Sequence, residues 1–313
     1  MNIKTPLAIF TYNRPKHARQ LFESLLHCSR LDECAVYIFC DGPKKPEHEQ
    51  GVLASRATVH EFALQLKAKV VEHEQNVGLA HSIVNGATDL CGQYGRIIVL
   101  EDDFILHPFF LNFMIQSLDR YMHDERVAQV AGFKFPIATH LKPDAFFLPV
   151  TSSWGWATWQ RAWSSFSWDT GFALNMLDSN PKLSARFDIH GTYPFANMMR
   201  LTHEGKLDTW DIQWYWQVFS ASRLTLYPRQ SLVWQNGFDE VATHTKTPWR
   251  GLQSSFDKFI QTKWKDPISF PAFVQVDEVA FESLKSFYRL RMPCRPLARL
   301  KRIMKRVFPS LVK

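Results

Sequence analysis

The chain has 313 residues, 46% of them apolar, and carries a formal net charge of +7. That length suits one large α/β domain with an attached subdomain, and the apolar share excludes wholesale disorder. The charge is not spread evenly: from Lys285 onward there are ten Lys or Arg and no Asp or Glu, leaving 27 basic residues against 30 acidic ones in the body. A basic tail on a slightly acidic body argues against a nucleic-acid-binding core.

In chain order, strand-like runs fall at Leu7–Thr11, Ala35–Asp41, Lys69–Glu72, Arg96–Leu100 and Val127–Gly132. Helical stretches lie between them at Lys16–Cys28, Glu47–Leu66, Leu79–Gln93 and Pro108–His123, with Pro15 and Pro108 near helix starts, where a missing N–H costs nothing. This βαβα order predicts a mainly parallel sheet with helices on both faces, whose ligands bind beyond the carboxyl ends of the strands. The second half is less regular. An aromatic cluster runs from Ser152 to Trp159 and is followed by Trp163 and Trp168. Helix-like Thr192–Thr202 and Asp211–Ser222 then precede strand-like Leu224–Tyr227 and Leu232–Gln235.

The predicted strand ends are polar. Strand one runs into Thr11-Tyr12-Asn13-Arg14, strand two into Asp41-Gly42, and strand three into Glu74-Gln75-Asn76 before Gly78. Each is ordinary turn chemistry alone, but four on one rim point to a site. The fourth is the sharpest: apolar Ile97–Leu100 ends in Glu101-Asp102-Asp103. Adjacent carboxylates repel unless solvated or neutralised by a cation, and Mg²⁺ or Mn²⁺ binds carboxylate oxygen together with substrate phosphates. An acidic helix N-terminus is the plainer explanation of such a triplet.

With these motifs in view, the chain resembles GT-A fold glycosyltransferases, closest to the group of N-acetylglucosaminyltransferase I and its bacterial relatives. The resemblance rests on Phe10–Arg14, Cys40-Asp41-Gly42, Asn76–Leu79, Glu101-Asp102-Asp103, Trp154-Gly155-Trp156, Trp210-Asp211, Asn236–Phe238 and Thr243-His244, in that order from Pro6 to His244. It implies a nucleotide-sugar donor, with Thr11, Asn13, Arg14, Asp41, Asn76 and Gly78 on the nucleotide side and Asp41 accepting a hydrogen bond from uracil. Glu101 and Asp102 would contact ribose and donor sugar, and Asp103 would bind Mn²⁺ or Mg²⁺ directly, with His244 near the metal. Trp154-Gly155-Trp156 would line the donor sugar and acceptor. Asp211 would be the general base of an inverting transfer, against the simpler role of an N-cap and with Asp208 as the rival base.

The resemblance divides the chain into a nucleotide-sugar-binding half at 1–150, an acceptor half at 151–284 and a basic tail at 285–313. In that tail Leu297, Leu300, Ile303, Met304, Val307 and Phe308 recur at helical spacing among Arg and Lys, a pattern that suits an anionic membrane surface. Cys28, Cys34, Cys40, Cys91 and Cys294 form no CxxC pair and read as reduced thiols. No apolar run approaches the ~18 residues a membrane span needs, and strand-like sequence begins too early for a signal peptide. The expectation is therefore a cytoplasmic, peripheral enzyme acting on a saccharide or lipid-linked glycan in surface polysaccharide synthesis, without nucleic acid. Two alternatives stay open: a nucleotidyltransferase on a similar sheet, though Phe10–Pro15 lacks the glycines of a triphosphate loop, or an inactive sugar-nucleotide-binding protein.

Overall fold

A computed structural model describes residues 4–139, 143–237 and 256–291. The first half alternates as its sequence predicts: β1 (Thr5–Thr11), α1 (Pro15–Leu26), β2 (Cys34–Cys40), α2 (Glu49–Leu66), β3 (Lys69–Glu72), α3 (Leu79–Tyr94) and β4 (Arg96–Glu101). There follow β5 (Phe104–Leu106), α4 (Phe110–Arg120), β6 (Val127–Ala131), β7 (Ala145–Leu148) and β8 (Trp156–Trp159). Four helices, α5 (Gln160–Trp163), α6 (Thr170–Ser179), α7 (Pro181–Phe187) and α8 (Phe195–His203), lead to α9 (Asp211–Ser220). The described chain closes with β9 (Leu224–Pro228), β10 (Val233–Gln235), α10 (Phe256–Gln261) and α11 (Glu278–Arg291).

Eight strands form one sheet in the order β3-β2-β1-β4-β8-β6-β9-β7, and β5 pairs with β10 in a small second sheet. The run β3-β2-β1-β4 is parallel, as is β6 with β9, whereas β8 is antiparallel to both β4 and β6. Both faces are covered, and the period-two alternation of buried strands explains how. Leu7 and Ile9 of β1 and Ile98 and Leu100 of β4 pack with α1, α2 and α4. Ala8, Phe10, Ile97 and Val99 pack on the opposite face with α3, α5, Trp210 and Trp214. The fold is α/β, with a mainly parallel mixed sheet between helical layers.

Both expected divisions fall inside structural units. The boundary at 150/151 runs through a single sheet, because β8 and β9 lie among strands of the first half. Position 285 falls within α11, where Leu284 is buried and Lys285 pairs with Glu282. Residues 292–313, with most of the basic tail, lie outside the described residues, as does Cys294. Cys28, Cys34, Cys40 and Cys91 are buried free thiols. Among the described residues no helix is long and apolar enough to cross a membrane.

Strand order reverses between β1 and β4. The chain builds outward from β1 to β3, then returns to the other side of β1. The carboxyl ends of two parallel neighbours at such a reversal are where ligands of open α/β sheets bind. Register aligns Phe10 of β1 with Glu101 of β4, so Thr11–Arg14 and Glu101–Asp103 emerge side by side.

Candidate active site

Three carboxylates crowd the β4 end. Asp102 is buried and accepts the Tyr12 backbone N–H at 3.1 Å, tying the β4 end to the β1 end. Asp103 pairs with Arg14 through Oδ2 at 3.1 Å. Burial, with the charges of Asp103, Asp102 and Asp211, holds Glu101 well above the usual carboxylate range. Burial and Asp103 push Asp102 up to about 7, while Asp103 is raised by burial despite the opposing pull of Arg14. The structure therefore brings Asp211, more than a hundred residues away in sequence, close enough to act on Glu101.

These shifts fix a stability prediction. The carboxyls ionise near pH 4 in the unfolded chain but at higher pH when folded, so the folded state holds more protons in between. Their effect on stability is neutral below the unfolded pKa and unfavourable as pH rises through the folded one. Asp102→Asn should therefore melt increasingly above wild type from about pH 4 to about pH 7, then hold a constant advantage worth a few kcal/mol. Thermal unfolding of the metal-free proteins across that range checks it; a constant difference at every pH would remove Asp102 from the crowded cluster.

Asp103 is held by a second set of residues that sequence reasoning did not assign. At the β10 end Gln235 hydrogen-bonds its carboxylate, and Asn236 N–H donates to its carbonyl at 2.8 Å. Gln235 Oε1 also accepts the Gly237 N–H at 2.8 Å. The Gly237 backbone lies so close that a Cβ there would fall on the Asp103 carboxylate. Asn236 is anchored in turn to α1, its amide donating to Gln20 Oε1 at 2.6 Å and its carbonyl lying 3.2 Å from His17 Nε2. The Asn236-Gly237 dipeptide in the sequence was a signal of this close approach. Phe238 and His244 lie outside the described residues.

One atom is left over. Asp103 Oδ1 is buried and has no hydrogen-bond partner among the described residues. An unpaired buried carboxylate oxygen is costly, and a hard cation is the partner its chemistry suits. Among the described residues no three His, Cys, Asp or Glu side chains converge as a ready metal cage. The donor set fits a divalent ion held by one carboxylate and completed by substrate phosphates and water, as Mg²⁺ sites often are.

On the nucleotide side Asp41 organises a loop. Its Oδ1 accepts the N–H groups of Gly42 and Val77 at 2.9 Å each, and its Oδ2 accepts from Asn76 Nδ2 at 2.8 Å and Gly78 N–H at 3.0 Å. Asn76 Nδ2 also reaches the Gly42 carbonyl at 2.8 Å. With four donors on its two oxygens, Asp41 holds the loop that opens α3. Gly78 starts that helix at φ +83°, a conformation that favours glycine. The Thr11 hydroxyl points into the sheet and donates to the Phe39 carbonyl, 3.3 Å away. Asn13 stays on the rim, its backbone beside Gly51 of α2. Its neighbour Tyr12, not singled out in the sequence, accepts the Lys44 N–H at 2.9 Å and contacts His48 Nδ1 at 2.7 Å.

The tryptophan segment divides. Trp154 is half-buried against Phe133, and Gly155 turns the chain at φ +62° where a side chain would strike Val233. Trp156, expected to line the ligand, is 1% exposed in β8 and stacks on Trp210 at 5.0 Å. Its indole supports the start of α9 from beneath. Asp211 is the first residue of that helix, and Trp210 holds the N-cap position without a side-chain capping bond, so Asp211 is not an N-cap. Its Oδ1 accepts the Thr209 hydroxyl at 2.5 Å, and burial, with a smaller push from the Asp211 charge, moves nearby Tyr193 up to about 12. Asp208 is exposed, and a Cβ on Gly78 would lie 4.0 Å from its Oδ2.

No protein-family model and no curated protein matches the chain. Solved structures similar to parts of it include S. aureus TarS, at 16% identity and a TM-score of 0.34 over 48% of this chain and 25% of that one. This chain thus spans only a quarter of the TarS chain. The mannosyltransferase PcManGT from Pyrobaculum calidifontis, solved with GDP-Man and Mn²⁺, is 14% identical with a TM-score of 0.40 over 70% of this chain and 68% of that one. Mouse xyloside xylosyltransferase 1 is 14% identical with a TM-score of 0.34, covering 72% and 97%.

Proposed function

We propose that this chain is a glycosyltransferase of the GT-A type, moving a sugar from a nucleotide sugar to a hydroxyl of a saccharide acceptor. The observation that carries the reading is the carboxylate cluster at the β1/β4 switch point, with Asp103 Oδ1 buried and without a partner among the described residues, and Asp211 acting on Glu101. A diphosphate leaving group brings negative charge into that cleft. Asp103 would hold the divalent cation, which when bound offsets the charge of the departing diphosphate. Arg14, beside Asp103, adds a fixed positive group on the same side. The Asp41-ordered loop from Asn76 to Gly78 presents a rigid edge to the nucleoside.

Asp211 takes the acceptor proton in this reading. An alcohol is a poor nucleophile, and a carboxylate in hydrogen-bond reach removes its proton as it attacks the anomeric carbon. The Trp156–Trp210 stack fixes the helix start, and the Thr209 hydroxyl orients the carboxylate, so the base is held in place before the acceptor arrives. One displacement by that hydroxyl inverts the anomeric centre.

The test is a thermal-shift screen of UDP-, GDP- and dTDP-sugars with and without Mn²⁺. A specific donor should raise the melting temperature in proportion to the logarithm of its concentration, and only with the metal present. UDP-sugars are the expected class. No shift with any nucleotide sugar, under conditions where the protein is folded, would overturn the proposal.

A further inference from the structure

The aromatic residues beneath Asp211 do not end in the core. Trp210 contacts Trp163 edge-on at 6.1 Å, Trp163 stacks on Phe166 at 4.8 Å, and Phe166 meets Trp168 edge-on at 5.2 Å. Trp168 lies against His81 with ring centres 4.7 Å apart. Trp210 and Trp163 are buried, but Trp168 is 40% exposed, and its indole N–H makes no hydrogen bond among the described residues. The outermost ring is thus braced by two aromatic neighbours and open to solvent elsewhere.

Its position is set by α3. His81 stands in the first turn of that helix, three residues after Gly78, which faces Asp208. The start of α3 follows β3 and lies at the carboxyl rim of the sheet, the rim that carries Glu101–Asp103. Trp168 and Asp208 therefore both stand beside the start of α3, at that rim. Asp208 makes no hydrogen bond among the described residues, leaving its oxygens available. Beyond Trp168, α6 leaves Phe172 61% and Met176 42% exposed, one turn apart on one helix face. Exposed apolar side chains near a polar rim suit docking of a ligand with both apolar and polar faces.

We propose that Trp168, with His81 and Asp208, forms a stacking subsite for a sugar ring of the acceptor glycan, apart from the point of transfer. A sugar ring has an apolar C–H face and a rim of hydroxyls. A rigid indole takes the face at little entropic cost, and a solvent-facing carboxylate accepts hydrogen bonds from the rim. The same carboxylate repels a phosphate or an acidic lipid headgroup, which selects a neutral saccharide over those ligands. The subsite rests on the glycosyltransferase reading for its role but not for its binding chemistry. It assigns Asp208 to acceptor recognition, leaving proton transfer to Asp211.

The experiment uses the full chain on an immobilised array of neutral oligosaccharides of three or more sugars. Hydrolysis of the nucleotide sugar in Mn²⁺ and nucleotide binding are measured separately. Wild type should retain one or more glycans. Trp168→Ala should reduce that retention about tenfold or more, while Trp168→Phe restores it to within about threefold, as an aromatic anchor requires. Donor hydrolysis and melting temperature should be unchanged in Trp168→Ala. Undiminished retention by Trp168→Ala, or no retention by a wild type that hydrolyses donor, overturns the subsite. Loss of nucleotide binding instead of glycan binding also overturns it, making Trp168 a base-stacking surface. Glycan retention that depends on Trp168 in a protein that binds no nucleotide sugar upholds the subsite and defeats the proposed function.

Discussion

Asp211→Asn is expected to keep donor and metal binding and to lose turnover by roughly two to four orders of magnitude, the usual worth of general-base catalysis. Asparagine preserves the shape of the side chain and can still accept the Thr209 hydroxyl, so the start of α9 should stay as it is. What disappears is the proton acceptor. The Trp156–Trp210 stack beneath does not depend on the carboxylate, and melting temperature should move little. Removing the charge also relieves Glu101, so any shift should be toward greater stability at neutral pH. Asp208→Asn should mainly raise the acceptor KM, as its solvent-facing place in the proposed acceptor subsite implies. The product should have the opposite anomeric configuration to the donor, as read by NMR. A near-normal rate in Asp211→Asn would pass the base role to another carboxylate, and a retained configuration would exclude single displacement.

Asp103→Ala should abolish metal-dependent donor binding while leaving the fold intact. Asp103 is the carboxylate with a buried, unpartnered oxygen, and its other oxygen is engaged by Arg14. Loss of binding by misfolding is a poor rival explanation, because the sign of the electrostatics runs the other way. Asp103 raises both Glu101 and Asp102, so its removal reduces repulsion in the cluster. The variant should melt no lower than wild type at neutral pH without metal, yet bind UDP with Mn²⁺ at least about a hundredfold more weakly, as loss of a charge partner worth 2–3 kcal/mol implies. Calorimetric titration with UDP and Mn²⁺ measures this directly. Unchanged affinity would remove Asp103 from the metal site, whatever the activity.

The first half of the fold was legible because its signals are local. Leu7–Thr11 and Ile97–Leu100 are apolar runs with polar ends, and the helical stretches between strands place their boundaries within a few residues of those observed. Period and turn chemistry are carried by neighbouring residues, so a sequence displays them. The second half hid β8, a strand at the centre of the sheet. Trp156–Trp159 is buried at all four positions and is antiparallel among parallel neighbours. Burial on both faces erases alternation, so the run looks like an aromatic cluster lining a ligand, and Trp156 was read that way. Short β5 and β7 are hidden for a different reason, having too few residues to show a period.

The sequence by itself determined the identity of the rim: polar residues at four strand ends, and three consecutive carboxylates after an apolar strand. It could also nominate Asp211, through a resemblance. Only the tertiary structure decided which of these groups meet. The β1/β4 switch point brings Tyr12 and Arg14 onto Asp102 and Asp103, and the sheet and helix layers carry Asp211 to within electrostatic reach of Glu101. It also gave two of the nominated residues scaffold contacts that sequence does not display: Asp41 with its four donors and Trp156 beneath α9. Residue type and spacing are properties of adjacent positions, whereas burial, charge proximity and hydrogen-bond saturation are set by chain segments that meet only after long loops have closed.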